Sequence, residues 1–229
     1  MTHDEGKAAL IRLFHVHRHF HATRALTDIT LDFYRNEFIF VTGPSGAGKT
    51  TLLKLLYRGE TASQGQILVD GMNLARIPHT KIHLLRRKFG IIFQDYKLIP
   101  TRTVFDNVAL VLEAAGRKPA YIRKKVQSVL RIVGMENRQD ALPPSLSGGE
   151  QQRIAIARAV VGDPTVILAD EPTGSLDAES ARLIIKLLKS FHTRGATVIV
   201  ATHDRELIRS LPGRIIYLQE GRLANAPTV

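Results

Sequence analysis

Short runs of aliphatic and β-branched residues alternate with stretches of helical period along most of this 229-residue chain. The runs FIFVTG from Phe38, RKFGIIF from Arg87, TVILAD from Thr165, ATVIVAT from Ala196 and RIIYL from Arg214 have strand length. Helical patterns over Lys49–Tyr57, Glu179–Thr193 and Asp204–Ser210 lie between them. That order predicts an α/β core around a largely parallel sheet. The first third reads differently, because AALIRLFHVHRHF, ALTDITLDFY and GQILVDG follow one another as strands without intervening helices, the last closed by an Asp70-Gly71 turn. An antiparallel β portion leaning on the parallel core is expected.

Between Gln94 and Ser147 the period becomes helical. TVFDNVALVLEAAG stops at Gly116 and AYIRKKVQSVLRIVG at Gly134, each glycine a helix terminator. NRQDALPPSLS follows as an exit loop, since Pro143 and Pro144 oppose helix. The expected organisation is one domain over 1–229, with the β portion and core at about 1–94 and 160–229 and an inserted α-helical lobe at about 95–159.

Composition adds limits. The apolar content of 44% and charged content of 23% are ordinary for a globular protein. No apolar run approaches the roughly 18 residues that span a bilayer, and the start MTHDEGKAAL lacks the basic and apolar regions of an export signal. Zero cysteines exclude disulfide and thiolate chemistry and fit a cytoplasmic protein. A formal charge of +11 asks for an anionic partner: nucleic acid, an acidic membrane surface or nucleotide phosphates. The basic clusters LLRRK and IRKK are short and lack an aromatic RNA-binding signature, so no nucleic acid is expected.

The chemistry begins at GPSGAGKTT, which matches the phosphate-loop pattern G-x-x-x-x-G-K-[ST] directly after a strand and before a helix. Gly43, Gly46 and Gly48, with Pro44, Ser45 and Ala47 between them, let successive backbone N–H groups close on phosphate oxygens. Lys49 adds a compact charge, and the hydroxyl of Thr50, followed by Thr51, suits Mg²⁺. VILADEP ends a neighbouring strand on Asp170 and Glu171. Taken alone, an Asp-Glu pair there is more often a turn or cap; beside a phosphate loop, Asp170 is the expected metal partner and Glu171 a group that can orient or deprotonate water. Gln94 and His203 also follow apolar runs, and in a parallel sheet both reach the same carboxyl edge. Gln94 can touch Mg²⁺ or water, and His203 can sense a terminal phosphate.

A second anion-binding helix start, LSGGEQQR from Leu146, has no evident task. It covers another face of one nucleotide or serves another nucleotide, and spacing does not choose. These ordered motifs, with ADEPTGSLD from Ala169, resemble the ATP-binding cassette ATPases over almost the whole chain, Leu10 to about Leu223. The resemblance implies that two chains stack head to tail as an ATP-bound homodimer, with Ser147, Gly148 and Gly149 of one capping the γ-phosphate held by the other. It further implies that Glu171 is the general base, His203 the switch residue, Gln94 the residue that reports to a membrane partner, and Ser175 to Asp177 the loop linking the two sites. Adenine is expected to stack on Phe20, where the family often has tyrosine.

Within the family, Phe93 to Leu110 looks most like the cell-division members. This implies an integral membrane partner resembling FtsX, docking near Lys97–Asn107, control of cell-wall hydrolases, and a place on the cytoplasmic face of the plasma membrane. Lipoprotein-release and macrolide-export ATPases share the same signatures and are the alternative. A nucleic-acid ATPase of the family usually carries two cassettes or a coiled-coil insertion, and a small-molecule kinase lacks the second anion site; neither pattern is present. His15, His17, His19 and His21 alternate, which on a regular strand puts their rings on one polar face; a metal set is the lesser reading.

Overall fold

The computed structural model describes residues 9–21, 23–174 and 176–225. In chain order its elements begin with β1 (Ala9–Phe20), β2 (Thr23–Tyr34), β3 (Phe38–Thr42), α1 (Lys49–Leu56), β4 (Gln64–Val69) and β5 (Met72–Asn73). They continue with α2 (Ile82–Arg86), β6 (Phe89–Ile92), α3 (Val104–Ala114), α4 (Pro119–Ile132) and α5 (Gly148–Val160). The chain closes with β7 (Val166–Asp170), α6 (Ala178–Thr193), β8 (Thr197–Ala201), α7 (Arg205–Ser210), β9 (Arg214–Gln219) and β10 (Arg222–Ala224).

The β1, β2, β4 and β5 strands form an antiparallel sheet in the order β2-β1-β4-β5. A six-stranded sheet has the order β10-β9-β3-β8-β7-β6, parallel from β9 to β6. Within it, β10 runs against its neighbour. That hairpin and α2 are elements the hydrophobic pattern did not single out. The two sheets are joined where the Thr27 amide donates to the Gly221 carbonyl at 2.8 Å.

Alternation along the central strands divides the interior. Phe38, Phe40, Ile167, Ala169, Val198 and Val200 face one apolar core, completed by α3 to α6. Ile39, Val41, Val166, Leu168, Ile199 and Ala201 face a second, completed by α1 and the antiparallel sheet. Successive side chains of a strand point to opposite faces, so a strand buried on both reads as a continuous apolar run. The sequence FIFV therefore carries no alternation and yet serves both cores.

Each helix of the lobe has its stop or start in its own residues. The Thr103 hydroxyl caps α3 by accepting from the Asp106 amide, and Gly116 leaves it at φ 69°. Pro119 opens α4 and Gly134 closes it at φ 68°. Ser147 and Glu150 form a reciprocal capping box at the start of α5: the Glu150 amide donates to Ser147 Oγ at 3.3 Å, and the Ser147 amide to Glu150 Oε2 at 2.9 Å. Fully buried Asn107 accepts from the Ile99 amide at 2.8 Å and donates to the carbonyls of Ile99, Arg102 and Thr103, tying the loop before α3 to the helix.

The histidine row is corrected in part. His15 sits at φ 46° and pairing shifts between Leu13 and Val16, so a bulge takes it out of the alternation, and His21 lies beyond β1, while the His17 and His19 rings stack with centroids 6.2 Å apart. His15 instead bonds Asp28 through Nδ1 at 2.7 Å, and His17 Nδ1 accepts from the Asp28 amide. Among the described residues no group of three or more His, Cys, Asp or Glu side chains is arranged to hold a metal.

Candidate functional site

At the carboxyl ends of β3, β6, β7 and β8 a cavity of about 530 Å³ opens, lined by 44–51, Gln94, Asp170, Glu171 and His203. Four separate stretches of sequence therefore converge on one space, as the parallel register requires.

The glycine loop is shaped by close backbone approach. Gly43 has φ 143°, and a Cβ there would stand 2.0 Å from the Leu218 carbonyl oxygen; Gly48 has φ 101°, with a Cβ 2.6 Å from the Ala25 oxygen. Gly48 is also the N-cap of α1, whose first turn holds no acidic side chain to compete for an anion. Lys49 is buried, and its Nζ donates to the carbonyls of Gly43 at 2.8 Å and Pro44 at 3.0 Å. A buried ammonium satisfied only by neutral carbonyls is poised for an anion.

The Asp170 carboxyl is pushed above its ordinary range, chiefly by burial, with the neighbouring Glu171 charge adding to the rise. A hydrogen bond with the Thr50 side chain and the charges of Lys54 and Lys49 act the other way. Thr50, Gln94 and Asp170 bring a hydroxyl, an amide oxygen and a carboxylate to this cavity, oxygen donors of the kind that suit Mg²⁺.

Glu171 leaves β7 at φ 45°, an uncommon backbone for a non-glycine residue. Its amide donates to the Ala201 carbonyl at 2.8 Å. Its two carboxylate oxygens are both engaged: Oε1 is 2.6 Å from His203 Nδ1, and Oε2 accepts from Thr202 Oγ1 at 2.9 Å. Thr202 is fully buried and was not singled out in the sequence. Its only signal there is its place just before His203 at the end of an apolar run.

Other expected residues stand apart from this cavity. Ser147 and Gly148 are exposed and Gly149 is buried against Ser180, where a Cβ would stand 2.4 Å from Ser180 Oγ. Asp177 caps α6 by accepting from the amides of Glu179 and Ser180. None of these lines the cavity within one chain. Ser175 lies outside the described residues. Phe20 is also absent from the lining; it ends β1 with the Arg18 guanidinium 4.3 Å from its ring centroid, Arg18 being held at 2.6 Å by Glu60.

The sequence profile described as ABC transporter matches residues 26–174. The chain belongs to the ABC transporter ATPase family. As a member it is an ABC ATPase, which binds and hydrolyses ATP, and the α/β core with an antiparallel sheet and a helical lobe is the cassette fold. Among curated relatives, the cell division ATP-binding protein FtsE of Bacillus subtilis is 44% identical over 198 residues, covering 86% of this chain and 87% of the relative. The FtsE of Escherichia coli K12 is 44% identical over 215 residues, covering 93% and 97%. Among solved structures, a dimeric bacterial ABC transporter cassette superposes with a TM-score of 0.87 at 35% identity, covering 94% of this chain and 97% of that one. A dimeric post-hydrolysis state of that cassette, bound to ADP and Pi, gives 0.86 at 34% identity, with the same coverage.

Proposed function

We propose that this ABC ATPase is the peripheral, cytoplasmic-face subunit of a membrane complex in cell division, working with an integral membrane partner resembling FtsX to control cell-wall hydrolases. The likeness to FtsE over more than nine-tenths of the chain supports the process. The charge of +11 is compatible with a place beside anionic lipid. The rival reading, a transport ATPase, draws on the likeness to a bacterial ABC transporter cassette; ATP-driven movement of a solute or lipoprotein by the purified complex would favour it.

One observation carries the mechanism: the Ser147–Gly149 helix start is displayed outside the cavity that holds the phosphate loop, Glu171 and His203. In our reading a second chain supplies that helix start. The glycine loop and Lys49 bind the triphosphate, and Ser147, Gly148 and Gly149 of the other protomer close over its terminal phosphate with amide N–H groups and the positive end of α5. Thr50, Asp170 and Gln94 would hold Mg²⁺, which when bound would neutralise phosphate charge. Glu171, oriented by His203 and Thr202, takes the proton of the water whose oxygen bonds to the γ-phosphorus as the bond to the bridging oxygen of ADP breaks, and His203 senses the γ-phosphate by hydrogen bonding. Phe20 carries the adenine by stacking, and Asp177 lies on the loop that links the two sites.

Mixing two variants, each inactive alone, tests the shared site. Lys49→Ala disables the phosphate loop and Ser147→Arg the lid. In a mixed dimer one site combines both lesions and the other is intact, so turnover reappears on mixing. Silence of the mixture, with both variants folded and dimerising, would overturn the shared site. Division defects on depletion, restored by the wild-type chain and not by Lys49→Ala, test the process.

A further inference from the structure

Gln152 is buried on α5, one helical turn beyond Gly148, and its Nε2 donates to the Pro172 carbonyl at 2.8 Å. Pro172 is buried too, and it directly follows Glu171. The backbone on either side says what this bond fixes. Glu171 has φ 45°, and the Gly174 amide donates to its carbonyl at 3.3 Å, closing a turn with Pro172 in the second position. The proline ring sets one dihedral angle of that turn, and the carbonyl held by Gln152 fixes the peptide that follows. Glu171 is thus engaged from two directions: its carboxylate by His203 and Thr202, its exit by Gln152. A buried carbonyl without a partner is costly, so the turn stays where the amide is.

The same turn of α5 meets the residues that come after Pro172. A Cβ on Gly149 would stand 2.4 Å from Ser180 Oγ, and one on Gly148 3.9 Å from Leu176 Cδ2. Ser180 Oγ in turn donates to Asp177 Oδ2 at 2.7 Å. Positions 148, 149 and 152 share one face of the helix, and that face lies against Pro172, Leu176 and Ser180. Ser147 and Gly148 are exposed at the tip. Beyond Gln152 the helix enters the core, with Ile154, Ala155, Ile156 and Ala157 wholly buried, so close packing ties its first turn to the body of the chain. The lid residues and the turn behind Glu171 therefore belong to one mechanical unit, joined by a single side-chain amide.

We propose that Gln152 is a positioning residue for both sites of the dimer. Through Pro172 it sets the Glu171 of its own chain, and through α5 it sets the Ser147–Gly149 lid that this chain presents to its partner. Gln152 itself lines no part of the nucleotide cavity. Seating of the lid on the partner's terminal phosphate is then felt, one hydrogen bond away, at the carbonyl next to the lid-bearing chain's own general base. The inference rests on the reading in which each lid serves the other chain's nucleotide.

Gln152 Oε1 has no hydrogen-bond partner among the described residues, so Gln152→Met, similar in length and apolar, removes one bond and keeps the burial. The mixed dimer of Lys49→Ala and Ser147→Arg chains has one working site. Its glycine loop and Glu171 come from the Ser147→Arg chain, and its lid from the Lys49→Ala chain. Gln152→Met added to the Lys49→Ala chain reaches that site only through the lid; added to the Ser147→Arg chain, only through Glu171. Turnover of the mixture should fall about fivefold in either placement, the factor for one neutral hydrogen bond, while ATP binding by the isolated chain stays unchanged. Gln152→Glu, which sets a carboxylate oxygen against the Pro172 carbonyl, should lower turnover further in both. A residue that merely packs the helix would support the lid and leave the second placement silent. Loss in one placement alone, or in neither, overturns the inference and leaves the shared site standing. A parent mixture that is inactive before Gln152 is changed overturns the shared site, and this inference with it.

Discussion

His203 Nδ1 lies 2.6 Å from Glu171 Oε1, although 32 residues separate them in the chain. The contact fixes one oxygen of the carboxylate, and the Thr202 hydroxyl fixes the other at 2.9 Å. Both oxygens of the Glu171 carboxylate are thus engaged, on a backbone at φ 45°.

Glu171→Gln preserves size and removes basicity. ATP binding should persist while turnover falls by roughly 10²–10⁴-fold, the range for losing a general base. An ATP-bound dimer should accumulate, readable by size-exclusion chromatography with ATP and Mg²⁺. Turnover within a factor of about two of wild type would remove Glu171 from its role.

Thr202→Val tests the other tether. The hydroxyl accepts from the Asp204 amide at 3.0 Å, so its own proton is directed to Glu171. Valine keeps the shape and loses both bonds. The KM for ATP should be unchanged and kcat should fall about tenfold, whereas Thr202→Ser should restore it; a hydrogen bond to a charged group is worth about 1.5–3 kcal/mol. Equal loss in the serine variant would make the role one of packing.

Burial and the Glu171 charge raise the Asp170 carboxyl above its unfolded value. Folding therefore favours the protonated form, and the associated stability is complete below the ordinary carboxylate range and lost as pH rises through the raised value. The nucleotide-free chain should melt lower as pH climbs through that window, and Asp170→Asn should flatten the slope. Mg²⁺ needs the ionised form, so Mg²⁺-dependent nucleotide binding should weaken as pH falls through the same window. Thermal melts and nucleotide titrations across pH check both signs.

Asn107 is fully buried and its amide group serves Ile99, Arg102 and Thr103. Asn107→Ala should cost about 2 kcal/mol by leaving these backbone groups without partners. Hydrogen exchange should quicken over 99–103 and leave the glycine loop unaffected.

The residues that were legible in the sequence are those whose neighbours decide their geometry. FIFV followed by GPSGAGKTT is a strand, a turn of glycines and a helix start, and all three depend on local backbone chemistry. Asp170, Glu171, Gln94 and His203 were found because a parallel sheet brings strand ends together, so strand order stood in for contact. The histidines of β1 misled for the opposite reason: the bulge at His15 is set by pairing with β2, which no local pattern records. Thr202 escaped notice because its partner lies 31 residues away. Phe20 followed only from the family resemblance, and its ring meets Arg18 where one chain is seen alone.

The central sheet acts as a party wall. Because odd and even positions of β3, β7 and β8 look into separate rooms, remodelling the furniture on the lobe side leaves the lodging of the nucleotide nearly undisturbed. A cassette built this way can change the residues of α3 and α4 while the strands keep the glycine loop where it is.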